Sequence, residues 1–341
     1  MPEPYDDPGA VLLQLVNGYQ TTQAIHVAVR LGLGDRLGGE PRPLEDVASE
    51  AGVDRDALCR LLRALSTVGV FEETEPGHFR STAMSELLRR DHPRSVAGWP
   101  AFVGCDYHWA SWGDLHGAVT TGENAMVRRY GEDVWQYRAT RPEETEIFNA
   151  AMSALSRRAA AAIAAAYDFS QFPLIADIGG ADGSLLAHIL SAHPRPRGIV
   201  FDLPHVVAGA GAVLEAADLQ ARCATMGGSY LDAVPADADA YLIKSVLMDH
   251  SDEECRHVLG NIRSVMNSAS KLLVIEQVVE SGTSERAAAF SDLNMLVTTG
   301  GRLRSRKQWV ELITSAGLVV HRVIATASPF RIIEATGMAK G

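Results

Sequence analysis

The chain has 341 residues, 47% of them hydrophobic and 21% charged, with a formal net charge of −11. That length allows two domains with a large core, the composition is that of an ordinary soluble globular protein, and the negative balance argues against nucleic acid or an anionic membrane as a partner. Four scattered cysteines (Cys59, Cys105, Cys223, Cys255) have no zinc or disulfide spacing, no apolar run is long enough to span a membrane, and the acidic start lacks a signal-peptide pattern, so a cytoplasmic protein with reduced thiols and no metal is expected.

Leu12, Leu13, Leu15, Val16, Tyr19, Ala24, Ile25, Ala28 and Leu31 recur at helical spacing and predict a helix over about 10–33. Its apolar surface is broader than one core-facing stripe, so part of it is expected to meet a partner chain. A helix opens at Pro41–Ala48, and a turn follows at Ala51–Asp54. A second helix, with Leu58, Leu61, Leu62 and Leu65 on one face, runs over 55–68, and residues 70–80 read as a hairpin. Helix, turn, helix and hairpin make a winged helix. Arg55, Arg60 and Arg63 would suit DNA, but Asp54, Asp56 and the wing residues Glu72, Glu73 and Glu75 would face phosphate unfavourably. Dimerisation or a substrate lid is the preferred role.

Residues 95–150 concentrate the aromatics, among them Trp99, Phe102, Tyr107, Trp109, Trp112, Trp135, Tyr137 and Phe148. Much of this is ordinary core, yet such a concentration between two domains is where a flat organic substrate would be held, with His108 and Asn149 able to orient it. From Glu143 to Tyr167 a long alanine-rich helix joins the halves.

The second half opens on the apolar run Phe172–Ala176, the turn Asp177-Ile178-Gly179-Gly180-Ala181-Asp182-Gly183 and a helix from Ser184. Strand, glycine turn and helix are the first half of a nucleotide-binding βαβ unit. The dinucleotide fingerprint needs glycine at its first, third and sixth positions, which here are Gly179, Ala181 and Ser184. An acid at the strand end would repel a pyrophosphate and suits a cationic adenosine ligand, S-adenosylmethionine (SAM) foremost. An ordinary glycine turn with an incidental acid is the competing reading. Strands follow at 197–202, ending in an Asp202 placed for a ribose, at 222–226, leading into Gly227-Gly228-Ser229-Tyr230, and at 241–247. Ser251-Asp252-Glu253-Glu254 is a capping box opening a helix to about 265. A strand at 271–277, two helices, and strands at 319–325 and 330–335 complete the domain. Alternating strands and helices imply a mostly parallel sheet with ligands at the strand carboxyl ends, so Asp177, Asp202, residues 244–249 and Glu276 should ring one site.

In this order the motifs resemble SAM-dependent class I O-methyltransferases of the plant caffeate and bacterial polyketide (anthracycline-type) tailoring kind. The resemblance spans nearly the whole chain and is carried by Asp177–Gly183, Phe201–Val206, Gly227-Gly228, Ile243–Glu253, and Asp292–Val297 with Gly300-Gly301-Arg302. It implies an α/β Rossmann-like SAM-methyltransferase domain with a mostly parallel seven-stranded sheet over 168–341. A mainly helical winged-helix dimerisation domain (1–100) and a helical, substrate-lining segment (101–167) would precede it. It also implies a homodimer acting on a small aromatic or polyketide-type molecule. Cofactor contacts are expected from Ser156, Asp177, Gly179, Asp202, Leu203, Gly228, Ser229, Tyr230 and Lys244. Substrate contacts are expected from His108, Trp109, Trp112, Phe148, Met152, Met248, Met295 and Thr299, and the catalytic candidates are Glu276, Asp249 and His108.

The chain departs from the family at four positions. Met248 stands where the family has its histidine base, Leu303 where it has a second acid, and Ser229 where an acid reads the adenine amine. His250 replaces a tryptophan and is read as structural. Methyl transfer then favours an acidic or already nucleophilic acceptor and relies on positioning. Two alternatives stay open. One is a repurposed SAM-binding enzyme for hydroxylation, decarboxylation or pericyclic chemistry, in which the sulfonium only stabilises charge; the other is a non-catalytic SAM sensor.

Overall fold

The computed structural model describes residues 7–279 and 286–338; the acidic stretch 1–6 lies outside them. The helix expected over 10–33 is three helices, Pro8–Val16, Gly18–Arg30 and Leu33–Arg36. Asn17 closes the first and opens the second, and Gly32, at φ +62°, opens the third. The apolar periodicity runs on through these breaks, so the sequence pattern conceals them. Leu12, Leu13, Leu15, Val16 and Tyr19 are 54–64% exposed, which leaves an apolar face on the first helices.

Behind them the winged helix forms as expected. Strand β1 (Arg42–Pro43) leads into helix Leu44–Ala51, and helix Arg55–Thr67 follows, capped by the Asp54 side chain, which accepts from Ala57 N at 2.8 Å. The hairpin of β2 (Phe71–Glu75) and β3 (His78–Ser81) completes a three-stranded sheet in the order β1-β3-β2. Leu44, Val47, Leu58, Leu62, Leu65, Phe71 and Phe79 bury one core with Ala28 and Leu33. The wing acids are engaged locally: Glu73 holds Arg63 at 2.9 Å and Glu72 holds Arg80 at 2.8 Å.

The chain divides into two compact units. One comprises residues up to Ala110 together with Pro142–Leu155, and the other comprises Ser111–Arg141 together with Ser156 onward. The segment 101–167 is therefore apportioned between them, and helix Pro142–Ala166 contributes to each.

The second unit is built on a seven-stranded sheet. Its strands are β4 (Leu174–Ile178), β5 (Arg197–Asp202), β6 (Cys223–Gly227), β7 (Ala240–Lys244), β8 (Lys271–Gln277), β9 (Leu318–Ala325) and β10 (Phe330–Gly337), in the order β6-β5-β4-β7-β8-β10-β9. Strands β4 to β8 pair in parallel and β10 runs antiparallel to both its neighbours. Strand order reverses between β4 and β7, the switch point at which such sheets open a crevice for ligands. Two of the boundaries that differ from expectation bear on the site. The strand expected over 241–247 ends at Lys244, because Ser245 turns to φ +52° and Leu247–Asp249 form a 3-10 turn. Leu247 and Met248 are apolar because that turn is buried, not because it is strand. The first strand runs two residues further than its apolar stretch, so Asp177 lies inside β4 rather than at its exit.

Candidate active site

At the end of β4 the chain turns through Gly179 (φ +70°), Ala181 (φ +51°) and Gly183 (φ +74°), after which helix Ser184–Ala192 begins. A Cβ at Gly179 would sit 2.6 Å from Val246 Cγ2, so both its dihedral and its surroundings require glycine. Asp202, at the end of β5, ties itself to this turn: Oδ2 accepts from Ala181 N at 2.9 Å and Oδ1 from Leu203 N at 2.7 Å. Burial raises its pKa against the pull of those two N–H groups. After β6 the chain passes flat over Phe201, where a Cβ at Gly228 would lie 2.7 Å from the ring. Ser229 Oγ accepts from Leu231 N at 3.2 Å. The Tyr230 hydroxyl lies 3.0 Å from His250 Nε2, which engages the His250 ring structurally.

Lys244, at the end of β7, donates to Ser156 Oγ at 3.2 Å and lies 4.7 Å from the centre of the Phe330 ring. Burial lowers its pKa, while the charges of Glu276 and Asp177 hold it up. Asp177 is 2% exposed, and its Oδ2 has no hydrogen-bond partner among the described residues. Burial pushes its carboxyl up to about 7, with Asp202 and Asp182 adding to the rise and Lys244 opposing it. Glu276 is fully buried on β8. Its Oε1 accepts from Met248 N at 3.3 Å, and Oε2 has no hydrogen-bond partner among the described residues. Burial, then the charge of Asp249, pushes it up to about 8. Asp249 is pushed up to about 7 by burial, against Arg138 and a hydrogen bond from Thr299. Lys244 thus stands between two buried acids, Asp177 and Glu276, each with one oxygen lacking a hydrogen-bond partner among the described residues. Such a cradle is short of positive charge and suits a cationic ligand.

Beside the acids the wall is apolar. Met248, Ala288, Met295 and Leu303 form one buried cluster, which brings together the two positions where the resemblance leads one to expect a histidine and an acid. Thr299 Oγ1 lies 3.7 Å from Met295 Sδ, and Trp112 Nε1 donates to Asn294 Oδ1 at 3.0 Å. The second unit therefore brings together the cofactor positions, Met248, Met295, Thr299, Asp249 and Glu276, and also contains Trp112. His108, Trp109, Phe148 and Met152 belong to the first unit. There the His108 ring packs 4.7 Å from Phe102, with Nδ1 3.1 Å from Val103 O, and Phe148 meets Phe102 edge-on at 5.5 Å.

Two arginines escape sequence reasoning. Arg138 is buried, donates to Val134 O at 3.1 Å, stacks 4.5 Å over Trp135, and its charge bears on Asp249. Arg304 is 1% exposed and donates to Leu247 O and His250 O, both at 3.0 Å, and to Asp252 at 2.6 Å. It clamps the turn that carries Met248 and Asp249. The sequence does not single out either one: Arg302, Arg306 and Lys307 flank Arg304, and Gln136, Thr140 and Arg141 flank Arg138.

Residues 13–91 match the O-methyltransferase dimerisation domain, and residues 112–319 match the O-methyltransferase domain. The chain belongs to the O-methyltransferase family. It is 37% identical to phenazine O-methyltransferase PhzM of Lysobacter antibioticus, over 96% of this chain and 95% of that one. It is 38% identical to the mitomycin biosynthesis 6-O-methyltransferase of Streptomyces lavendulae, over 94% and 92%. The crystal structure of LaPhzM matches this O-methyltransferase with a TM-score of 0.94 at 37% identity, covering 97% of this chain and 100% of that one. Other solved relatives were captured with SAM or S-adenosylhomocysteine (SAH). Among the described residues of this O-methyltransferase, no helix is long and apolar enough to cross a membrane.

Proposed function

We propose that this O-methyltransferase transfers the methyl group of SAM to a hydroxyl of a small aromatic or polyketide-type secondary metabolite, as a homodimer formed through residues 13–91. The observation that carries this reading is the meeting, within one unit, of a cation-seeking acid cradle and a dry methionine wall. The residues fit the cofactor. The unpaired Asp177 Oδ2 suits its positive charge, Asp202 and Leu203 the ribose, and Gly228, Ser229 and Tyr230 the adenine, while Lys244 with Ser156 suits the carboxylate end. Bound SAM supplies an activated methyl group on a sulfonium. The chain's residues hold the acceptor against Met248, Met295, Thr299 and Trp112 and keep water out.

Met248 cannot take a proton. Ionising a phenol of pKa near 10 at neutral pH costs about 4 kcal/mol, whereas holding two reactants in line can supply about 7–11 kcal/mol. An acidic hydroxyl is therefore the favoured acceptor. Replacing Met248 by histidine is expected to raise turnover of a weakly acidic phenol about tenfold, below the 10²–10⁴ typical of a well-placed general base, because the ring must displace packed methionine. Turnover of an acceptor already ionised should not change. SAH release with the two kinds of acceptor measures both.

The reading is tested by mixing the protein with SAM and a panel of hydroxylated phenazines and naphthoates. The expected result is SAH accumulating together with a methyl ether. Conversion of an acceptor with SAM intact would instead identify the repurposed chemistry, and failure to bind SAM in calorimetry would remove both.

A further inference from the structure

We propose that His250 is a positioning residue for the cofactor: its ring holds the Tyr230 side chain across the carboxyl ends of β4 and β7, where that side chain walls the SAM site. The inference rests on the cofactor reading above, which sets Tyr230 against the adenine. Tyr230 follows β6, yet its side chain reaches two other strand ends. A Cβ at Gly179, the first residue after β4, would lie 3.8 Å from Tyr230 Cε1. The Tyr230 hydroxyl lies 3.0 Å from Nε2 of His250, which closes the 3-10 turn after β7, and the two rings meet edge-on with centroids 5.7 Å apart. In the strand order β6-β5-β4-β7, this one side chain therefore spans the switch point.

The backbone around Tyr230 is anchored separately. Asn261, from helix Asp252–Val265, donates to Tyr230 O at 3.0 Å and to Leu231 O at 3.1 Å, and Gly228 N donates to Asp202 O at 2.9 Å. Those bonds fix the chain and leave the ring free to turn about its side-chain torsions, so the hydroxyl is the atom through which it is locked. The His250 end of the bond is itself held. His250 is 7% exposed, its carbonyl accepts from Arg304 Nη2 at 3.0 Å, and its Nδ1 stands 3.8 Å from Glu254 Oε2. Glu254 is fixed in turn by the capping box, in which Oε2 accepts from Ser251 N at 2.9 Å and from Ser251 Oγ at 2.8 Å.

The carboxylate beside Nδ1 keeps the ring proton on that nitrogen, which leaves Nε2 as the acceptor and the Tyr230 hydroxyl as the donor. Burial lowers the His250 pKa, the Glu254 charge opposes this and the Arg304 charge adds to it, while burial pushes the Tyr230 phenol up. Both groups are then neutral, as a bond from phenol to imidazole requires. The simpler alternative is a ring that only fills space at position 250. Filling space needs no ring nitrogen, whereas a hold on Tyr230 needs Nε2, so the two part when the nitrogen alone is removed. His250 acts through Tyr230 and takes no part in the methyl transfer.

Calorimetric titration of the full chain with SAH, carried through the cycle of wild type, His250→Phe, Tyr230→Phe and the double variant, tests the pairing. His250→Phe keeps a ring and removes the acceptor, and the Kd for SAH is expected to rise about 3- to 10-fold, with a similar rise in Tyr230→Phe. The double variant should bind no more weakly than either single one, because both substitutions remove the same bond. His250→Gln, whose amide oxygen can accept from the phenol, should recover most of the loss. A Kd within about twofold of wild type in both single variants, or losses that multiply in the double variant, would overturn the proposal. So would a coupling seen in denaturant unfolding of the free protein and absent from SAH affinity, which would leave His250 a structural residue only. Should His250→Phe not fold, the other two substitutions carry the test: unchanged affinity in Tyr230→Phe, or an equal loss in His250→Gln, would overturn it. Wild-type protein that binds neither SAM nor SAH would overturn the cofactor reading and this inference with it. Wild-type binding with a failed cycle would overturn the inference alone.

Discussion

Replacing Arg304 by alanine is expected to lower the unfolding free energy by about 2–4 kcal/mol, from the lost hydrogen bonds to two buried carbonyls and the lost packing of a buried side chain. The guanidinium is 1% exposed, lies 5.1 Å from the centre of the Trp309 ring, and donates to two backbone carbonyls and to Asp252. Alanine removes the guanidinium donors, leaving Leu247 O to His250 N and Cys255 Sγ and His250 O to the weak Cys255 Sγ donor, and opens a cavity beside Trp309, so hydrogen-bond loss and packing loss add. Arg304→Lys keeps the charge but not the planar fork and should lose an intermediate amount. Denaturant unfolding reads the loss. A change below about 1 kcal/mol would show that the turn Leu247–Asp249 is held by other contacts. The same substitution frees the segment that carries Met248 and Asp249, so turnover should fall at temperatures where the variant is still folded.

Asp177→Asn is expected to separate stability from cofactor binding. In the folded protein the Asp177 carboxyl is raised to about 7, well above its unfolded value near 4, so its ionisation opposes folding. The unliganded protein should therefore lose stability as pH rises from about 4 through 7, and the asparagine variant should lose less over that window. SAM affinity runs the other way. The cation favours the ionised acid, so wild-type affinity should climb as pH rises towards and past 7. At pH 8 the variant should bind SAM about 10- to 100-fold more weakly, the value of one hydrogen bond to a charged group, with a flatter pH dependence. Calorimetric titration and thermal unfolding across pH 5–9 check both halves. Equal SAM affinity in the two proteins at pH 8 would remove Asp177 from the site.

The sequence carried the local signals well. Ser251 and Glu254 announce their helix because a capping box is made of near neighbours, and helix Asp252–Val265 begins where it predicts. Gly179 and Gly183 mark their turn because their dihedrals demand glycine. What stayed hidden depended on tertiary burial. Leu247 and Met248 read as strand because they are apolar, yet they are buried in a turn that Arg304 and Gly301 create from far along the chain. Arginine is ordinarily a surface residue, so nothing in the sequence marks Arg138 as buried beside Asp249. Met248 and Leu303 were visible only as two separate departures from a family pattern. That they fill one cluster with Met295, and leave Asp249 and Glu276 as the acids beside it, required the fold.

The central claim is that this site moves a methyl group from SAM to its acceptor. The most direct measurement is a single-turnover reaction with SAM carrying a trideuterated methyl group, followed by mass spectrometry of acceptor and cofactor. The account predicts one trideuteriomethyl ether and one SAH for each site that turns over. An acceptor that gains oxygen, loses carbon dioxide or rearranges while labelled SAM is recovered intact would contradict it.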